Sequence, residues 1–191
     1  GNWGTAQTVT ITGQDDPNDD GNILYTIVTA PAVSTDGAYS GLDPADVFVT
    51  NTDDDQAGFI VTPTDGLRTN EGGGTAEFCV SLLTPPSDDV TIPVQSTNTS
   101  EGTVMPQSLT FTPTDFGSDQ CVTITGQNDS QQDGPILYTI VLDTTSSNDA
   151  AYNKLDPPNV TVTNDDDEAG FTVTDLDPSD TINESGPGST A

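Results

Sequence analysis

Short runs of alternating apolar and polar residues are spread along the chain, and turn-forming residues separate them. Residues 75–83 and 135–143, for example, alternate Phe, Val, Ile or Tyr with smaller or polar side chains. A period of two places every second side chain on the same face, as in a strand with one buried face. We therefore expect an all-β chain in which Gly, Pro, Asp and Asn form the turns.

The same runs recur at a fixed spacing. Residues 10–14 recur at 123–127 and residues 23–28 recur at 136–141, so the offset is 124 − 11 = 113 and 138 − 25 = 113. A repeat of this length indicates tandem folding units stacked head to tail. We expect the C-terminal part of one repeat at 1–56, a complete repeat of about 112 residues at 57–168, and the N-terminal part of another at 169–191. The chain is then a stretch of a longer array.

The complete repeat is predicted to fold as an Ig-like antiparallel β-sandwich. Short strands with turns between them, in a unit of this length, are typical of that fold. The predicted strands are 58–63, 75–83, 89–95, 107–112, 119–126, 135–143 and 158–163. Alternation predicts the inward-facing side chains Phe59, Val61, Ala76, Phe78, Val80, Leu82, Val90, Ile92, Val94, Leu109, Phe111, Val122, Ile124, Tyr138, Ile140, Val160 and Val162.

Acidic residues from distant parts of this repeat are expected to meet at one end of the sandwich. Consecutive strands run in opposite directions, so the loops holding Glu71 and Glu101, the loop 127–134 and the segment 165–167 all lie at the same end. We call these segments the acidic end. Carboxylates packed together either take up protons or hold a cation, and calcium prefers 6–8 oxygen ligands. The sequence therefore predicts calcium at the acidic end of each repeat.

A second acidic loop supports the same prediction. The segment from Asp16 to Gly21 reads D-P-N-D-D-G, the opening D-x-N-x-D-G of a calcium loop. The twelfth position is Ile27, where a helix–loop–helix calcium motif needs Glu, so the loop belongs to a different kind of site.

Four segments resemble the Calx-beta family of calcium-binding sandwiches. They are N-E-G-G-G-T-A-E-F at 70–78, S-L-T-F-T-P at 108–113, V-T-I-T-G-Q-N-D at 122–129 and V-T-N-D-D-D at 162–167. The resemblance implies that the ligands are a Glu before the second strand, acidic residues of the loop 127–134, and the terminal Asp run. Together with the converging Glu101 and the repeat mate of Glu71, the candidate ligands are Glu71, Glu101, Asp129, Asp133, Asp165, Asp166, Asp167, Asp15, Asp16, Asp20, Asp53, Asp54, Asp55 and Glu184.

Composition excludes several classes of function. The chain has 31 acidic residues, two basic residues and no His, for a formal charge of -29. Nucleic acids and anionic membranes carry the same sign of charge, so neither is an expected partner. Without His there is no Ser–His triad or His-based zinc site. Paired carboxylates are too common in this chain to indicate a glycosidase, so we expect no enzymatic activity.

The two cysteines, Cys79 and Cys121, are both predicted to point outward from neighbouring strands. A cross-strand disulfide is then geometrically possible, which agrees with an extracellular or cell-surface location. No segment is apolar enough to insert into a membrane.

The favoured function is a structural or adhesive stalk or fibre whose repeats are rigidified by calcium at their ends. The expected partners are adjacent repeats of the same chain and, in a fibre, other copies of it. The opposite end of the complete repeat carries Asp88, Asp89, Asp115 and Asp119, and the acidic end of the preceding repeat is expected to face it. One alternative is a ligand- or carbohydrate-binding module, for which Trp3 and Phe48 would be candidate contacts. Another is a calcium-responsive regulatory domain, as in ion exchangers.

Overall fold

The computed structural model describes residue 1 and residues 3–167, and within them the chain forms β-strands joined by turns and loops. The strands are β1 (Ile23–Ile27), β2 (Val47–Asn51), β3 (Phe59–Thr62), β4 (Leu67–Asn70), β5 (Thr75–Leu82), β6 (Val90–Ser96), β7 (Gly102–Met105), β8 (Ser108–Phe111), β9 (Gln120–Gly126), β10 (Ile136–Leu142) and β11 (Val160–Asp165). Within this described part, no helix is long and apolar enough to cross a membrane.

Strands β3 to β11 form a sandwich of two sheets. One sheet has the order β3-β5-β9-β7 and the other β4-β11-β10-β6-β8. All pairs are antiparallel except β4 and β11, which run parallel with Leu67 opposite Val162 and Asn70 opposite Asp165. The prediction of an all-β sandwich is confirmed for this part of the chain.

The structure corrects the predicted number of strands. The segment predicted as one strand at 58–63 is followed by β4, and the one predicted at 107–112 is preceded by β7. Pro63 and Pro106 lie between the members of each pair and have no N–H to donate to a ladder. Each pair therefore divides between the sheets: β3 pairs with β5 while β4 pairs with β11, and β7 pairs with β9 while β8 pairs with β6.

The core lies between the two sheets and largely matches the alternation pattern. Of the side chains predicted to point inward, all are buried except Phe59 and Ala76, which are partly buried. The pattern missed Val104, Leu142 and Tyr152. Tyr152 lies in the loop between β10 and β11, where alternation gives no signal, and its hydroxyl donates to the Thr84 carbonyl at 2.7 Å.

Residues 1–56 contain one two-stranded hairpin, which reproduces part of the sandwich. In it Ile23 pairs with Asn51, and in the sandwich Ile136 pairs with Asn164, each 113 residues later. Within the described residues the hairpin lacks the strands that flank and cover β10 and β11, so Val47 and Tyr39 are exposed although their counterparts Val160 and Tyr152 are buried.

Cys79 and Cys121 form a disulfide across β5 and β9. The two residues are directly opposite each other in the ladder, and their Cα atoms are 4.0 Å apart. Both lie on the outer face of the sheet, since they alternate with the buried Phe78, Val80 and Val122.

Candidate metal centre

Glu71 is a buried carboxylate at the acidic end. It follows directly after β4, and its backbone N–H donates to the Asp165 carbonyl at 3.0 Å, which extends the parallel pairing by one residue. The side chain is only 4% exposed, and its Oε2 makes no hydrogen bond with any of the described residues. A buried carboxylate without donors is costly unless a proton or a cation compensates it.

Two groups of carboxylates meet at this position. Glu71, Asp133 and Asp166 form one group and Glu101, Asp129 and Asp133 form the other; within each, one oxygen per residue lies within 4.8 Å of the others. Asp133 belongs to both groups, so the two are contiguous. Oxygen atoms from separate segments at such spacing form the kind of ligand set that calcium prefers.

The loop between β9 and β10 is shaped so that its carboxylates face the segment after β11. The Gly134 N–H donates to Asp166 Oδ2 at 2.9 Å, which ties the loop to that segment. Gly134 has φ 75°, a conformation that a residue with a Cβ rarely adopts. At the start of the loop, Asp129 Oδ1 accepts from the Gln131 N–H at 2.6 Å.

A buried polar residue that the sequence did not single out lies beneath the carboxylates. Asn164 is 1% exposed, and its Nδ2 donates to the Gln127 carbonyl at 3.0 Å and to Glu101 Oε2 at 3.3 Å. Its Oδ1 accepts from Thr69 Oγ1 at 2.8 Å. The repeat mate Asn51, at the same place in the first V-T-N segment, was the available signal.

The predicted Asp run has three members, and two of them, Asp165 and Asp167, lie apart from the carboxylate groups. Both oxygens of Asp165 accept hydrogen bonds from Arg68, whose guanidinium lies beside them on the neighbouring strand β4. Asp165 is therefore paired with an arginine and lies outside the two carboxylate groups, and its role as a ligand stays a prediction. Asp167 is exposed and near Gly72, and it is also outside these groups.

The hairpin of residues 1–56 repeats the hydrogen bonds of the acidic end. The Gly21 N–H donates to Asp53 Oδ2 at 2.6 Å, as Gly134 does to Asp166. Asp16 Oδ1 accepts from the Asn18 N–H at 3.0 Å, as Asp129 does from Gln131. Asp53 is thus the counterpart of Asp166, and the counterpart of Asp165 is Thr52, which explains why Asp165 differs from the rest of the run.

The predicted ligands of the first repeat line one cavity in the hairpin. Asp15, Asp54 and Asp55 form a group with oxygens within 4.8 Å of one another, and Asp16, Asp20 and Asp53 line the same cavity. Partial desolvation, together with the negative charges of Asp15 and Asp54, raises the pKa of Asp55. Glu184 lies outside the described residues.

The loop from Asn18 to Asp20 lies next to the opposite end of the sandwich. It borders a second cavity together with Pro85–Ser87 and Asp149–Ala151. Asp19 Oδ2 also accepts from the Ala57 N–H at 2.8 Å, which fixes the short connection that leads into β3. The acidic loop of residues 1–56 is therefore in contact with the start of the sandwich.

Comparison with known proteins adds resemblance at the level of architecture. No family model matches the chain, and no curated protein matches it. The apo-form Calx CBD1 domain is 17% identical with a TM-score of 0.46, covering 60% of this chain and 100% of that one. The calcium binding domain CBD12 of CALX1.1 is 18% identical with a TM-score of 0.44, covering 57% of this chain and 44% of that one.

A bacterial structure of different function is also similar. The complex of the chaperone CsuC and the tip adhesion subunit CsuE, from Csu pili of Acinetobacter baumannii, is 9% identical with a TM-score of 0.41, covering 57% of each chain. The sandwich architecture follows from the strand pairing itself, and these similarities carry no argument about function.

Proposed function

We propose that the acidic end of the sandwich binds calcium, and that the chain is part of an extracellular structural or adhesive array of Calx-beta-like repeats. In this proposal Glu71, Glu101, Asp129, Asp133 and Asp166 supply the protein ligands. Calcium occupancy rigidifies the ends of the repeats, and the array acts as a stalk or fibre.

The observation that carries the proposal is the unpartnered Oε2 of Glu71. A carboxylate that is 4% exposed and faces Asp133 and Asp166 has no nearby source of compensation in the hydrogen bonds of the described residues. A divalent cation compensates three such oxygens at once. A proton would compensate only one of them.

The charge of the whole chain supports compensation of the acidic end by a bound cation and not by the chain's own basic side chains. Only two basic side chains are present for 31 acidic ones, and one of the two, Arg68, is bonded to Asp165. The remaining carboxylates at the acidic end therefore outnumber any internal positive charge, and calcium is the hard cation that suits an all-oxygen set.

The array is supported by the repetition of the site and by the contact at the junction. The hydrogen bonds of Asp53 and Asp166 are equivalent at a spacing of 113 residues. The loop from Asn18 to Asp20 lies against the opposite end of the sandwich. A disulfide on the outer face agrees with an extracellular location, where such bonds persist.

Carbohydrate binding through aromatic side chains has less support. Among the residues that the structure describes, the exposed aromatic side chains are Trp3, Tyr39 and Phe48, and all three belong to residues 1–56. Tyr39 is the repeat mate of Tyr152, which is buried in the sandwich, so its exposure reflects the absence of covering strands.

The proposal is tested by comparing the chain in calcium and in chelator. A ligand present at a hundred times its dissociation constant stabilises the folded state by about 2.7 kcal/mol, so calcium should raise the melting temperature. Small-angle scattering should also show a narrower distribution of shapes with calcium. Identical melting and scattering curves in both conditions would contradict the proposal, while magnesium at the same ionic strength controls for screening.

A further inference from the structure

Asn164 connects three of the segments that carry the acidic end. We infer that Asn164 is a positioning residue for the cation site, an inference that rests on the proposed calcium binding. It touches Glu101 and the two segments leading to the other carboxylates, and it fixes their separation before any ion arrives.

The amide nitrogen of Asn164 fixes two of these segments. Its Nδ2 donates to Glu101 Oε2 at 3.3 Å and to the Gln127 carbonyl at 3.0 Å. Glu101 is 5% exposed, so this bond sets which of its oxygens points away from the core. Gln127 begins the loop that carries Asp129 and Asp133, so the second bond sets where that loop starts.

The amide oxygen of Asn164 fixes the third segment. Thr69, its partner in the parallel ladder, donates its hydroxyl to Asn164 Oδ1 at 2.8 Å. Thr69 lies two residues before Glu71, so the position of Glu71 depends on the same side chain. A donor on one side and an acceptor on the other are what an amide offers and a carboxylate does not.

The surroundings leave Asn164 little freedom. A Cβ at Gly126 would lie 2.6 Å from Asn164 Oδ1 and 2.2 Å from the Asn70 carbonyl, so the end of β9 fits against this network only as glycine. The hairpin of residues 1–56 repeats the arrangement: Asn51 Nδ2 donates to the Gln14 carbonyl at 2.8 Å, and a Cβ at Gly13 would lie 2.5 Å from Asn51 Oδ1.

The test measures calcium affinity at this site separately from stability, in the full chain. The Gly134 amide signal in NMR reports the site of the sandwich through its bond to Asp166, and the Gly21 amide reports the cluster in residues 1–56 through Asp53. Asn164→Asp places a carboxylate against two acceptors. We expect the calcium affinity reported by the Gly134 amide to fall about 10- to 100-fold, the range for residues that orient metal ligands. The affinity reported by the Gly21 amide should not change.

Thr69→Val provides a milder variant in case Asn164→Asp does not fold. It removes the donor to Asn164 Oδ1, and we expect the calcium affinity reported by the Gly134 amide to fall about three- to tenfold, as for the loss of one hydrogen bond. Thr69→Ser keeps the hydroxyl and should restore the affinity. Thr84→Val is the matched control, because it removes another buried hydroxyl, bonded to Tyr152 at the opposite end.

Each outcome decides the inference. Weaker calcium binding at Gly134 in the Asn164 and Thr69 variants, with Thr84→Val changing only the melting temperature, supports the positioning role. Unchanged affinity with a lowered melting temperature assigns Asn164 a structural role only and overturns it. Tighter binding by Asn164→Asp would make position 164 a ligand and also overturns it. If neither amide responds to calcium in the unaltered chain, the proposed calcium binding itself fails, and the positioning role fails with it.

Discussion

Both ends of the sandwich carry acidic side chains, but the groups that surround these side chains differ. At the opposite end, Asp149 accepts from the Ser87 N–H at 2.6 Å and from the Ala151 N–H at 2.8 Å. Asp88 there accepts from Asn148 Nδ2 at 2.9 Å. At the acidic end, Glu71, Asp133 and Asp166 instead lie within 4.8 Å of one another.

The pKa values at the opposite end follow from these donors. The Asn148 side chain, followed by the Asp89 N–H, lowers the pKa of Asp88. Burial opposes ionisation of Asp149, but the N–H groups of Ser87 and Ala151 outweigh it and lower the pKa of that carboxyl as well. The comparison teaches that convergence of carboxylates does not by itself indicate a cation site. The two ends differ in Glu71 Oε2, a buried carboxylate oxygen at the acidic end that accepts no hydrogen bond from the described residues.

This distinction also modifies an expectation about the junction. The acidic end of a preceding repeat is expected to face the opposite end of the sandwich, and uncompensated carboxylates on the two sides would repel each other. Asp88 and Asp149 instead accept from Asn148 and Ser87, so they bond the β5–β6 loop to the β10–β11 loop at this end. Asp115 accepts from the Thr112 N–H of its own loop at 2.6 Å. Their charge remains, but their position is fixed by the loops they hold together.

The largest loss of stability is expected from removal of the disulfide. Because the disulfide lies at neither end of the sandwich, this loss is a reference for the variants at the two ends. Replacing Cys79 and Cys121 together with Ser opens a loop with a sequence separation of 42 residues. The loop-entropy relation gives a loss of about 4 kcal/mol of stability. Chemical denaturation in calcium and in chelator should show the same loss in both. A loss that depends on calcium would mean that the disulfide and the acidic end are coupled.

Glu71→Gln should separate the acidic end from the rest of the fold. It removes a buried charge, so in chelator the variant should melt at a higher temperature than the unaltered chain. With calcium it should lose at least tenfold in affinity, or about 1.4 kcal/mol of calcium-linked stabilisation. Melting curves in both conditions measure the two effects. Glu77→Gln, an exposed site on β5, is the control and should change neither.

Asp149→Ala should destabilise the opposite end without regard to calcium. It leaves the N–H groups of Ser87 and Ala151 without their carboxylate acceptor, which should cost about 1–2 kcal/mol. Asp156→Ala, at an exposed aspartate of the same loop, is the matched control. Urea denaturation with and without calcium provides the measurement. A calcium-dependent loss would contradict the division of roles between the ends.

Lowering the pH in chelator should change the contributions of individual carboxylates to stability in opposite directions. These changes are the smallest of the predicted effects. The pKa values of Asp88 and Asp149 lie below the usual 3.8, so their contribution to stability is present above that pH and is lost as the pH falls below it. The pKa of Asp55 lies above 3.8, so its ionisation costs stability at neutral pH, and that cost declines as the pH falls through its raised value. Carboxyl chemical shifts from NMR would measure all three directly. A pKa of Asp55 below 3.8 in chelator would contradict the crowding of that cluster.

The alternation of apolar and polar residues was sufficient to predict the sandwich. It did not show which sheet each of the short edge strands joins. Strands β5, β9 and β10 are long and have clear periods, so their inward residues followed from the sequence. Strands β4 and β7 have four residues each, and β4 reads Leu-Arg-Thr-Asn, which gives no apolar alternation. Their pairing depends on which sheet accepts them after Pro63 and Pro106, and that is decided by tertiary contacts.

The position of the candidate site was predictable in outline from the order and direction of the strands. Strand direction placed Glu71, Glu101 and the loop 127–134 at one end without any coordinates. The role of Arg68 beside Asp165 and of Asn164 beneath Glu101 depends on the parallel pairing of β4 with β11, which the sequence did not reveal. The offset of 113 would have matched Asp165 with Thr52 and flagged it as different.

The parallel pair of β4 and β11 also determines how the sandwich responds to tension. The chain enters β4 from its N-terminal side and leaves from the C-terminal end of β11, so a pull on the two ends slides these strands in opposite directions. Their hydrogen bonds, from Leu67 opposite Val162 to Asn70 opposite Asp165, are then loaded in shear and share the force, whereas a hairpin opens one bond at a time. Single-molecule pulling would check this, because Thr69→Pro, which removes one of these donors, should lower the rupture force. A module that resists stretching in this way is suited to carry mechanical load along a chain of repeats.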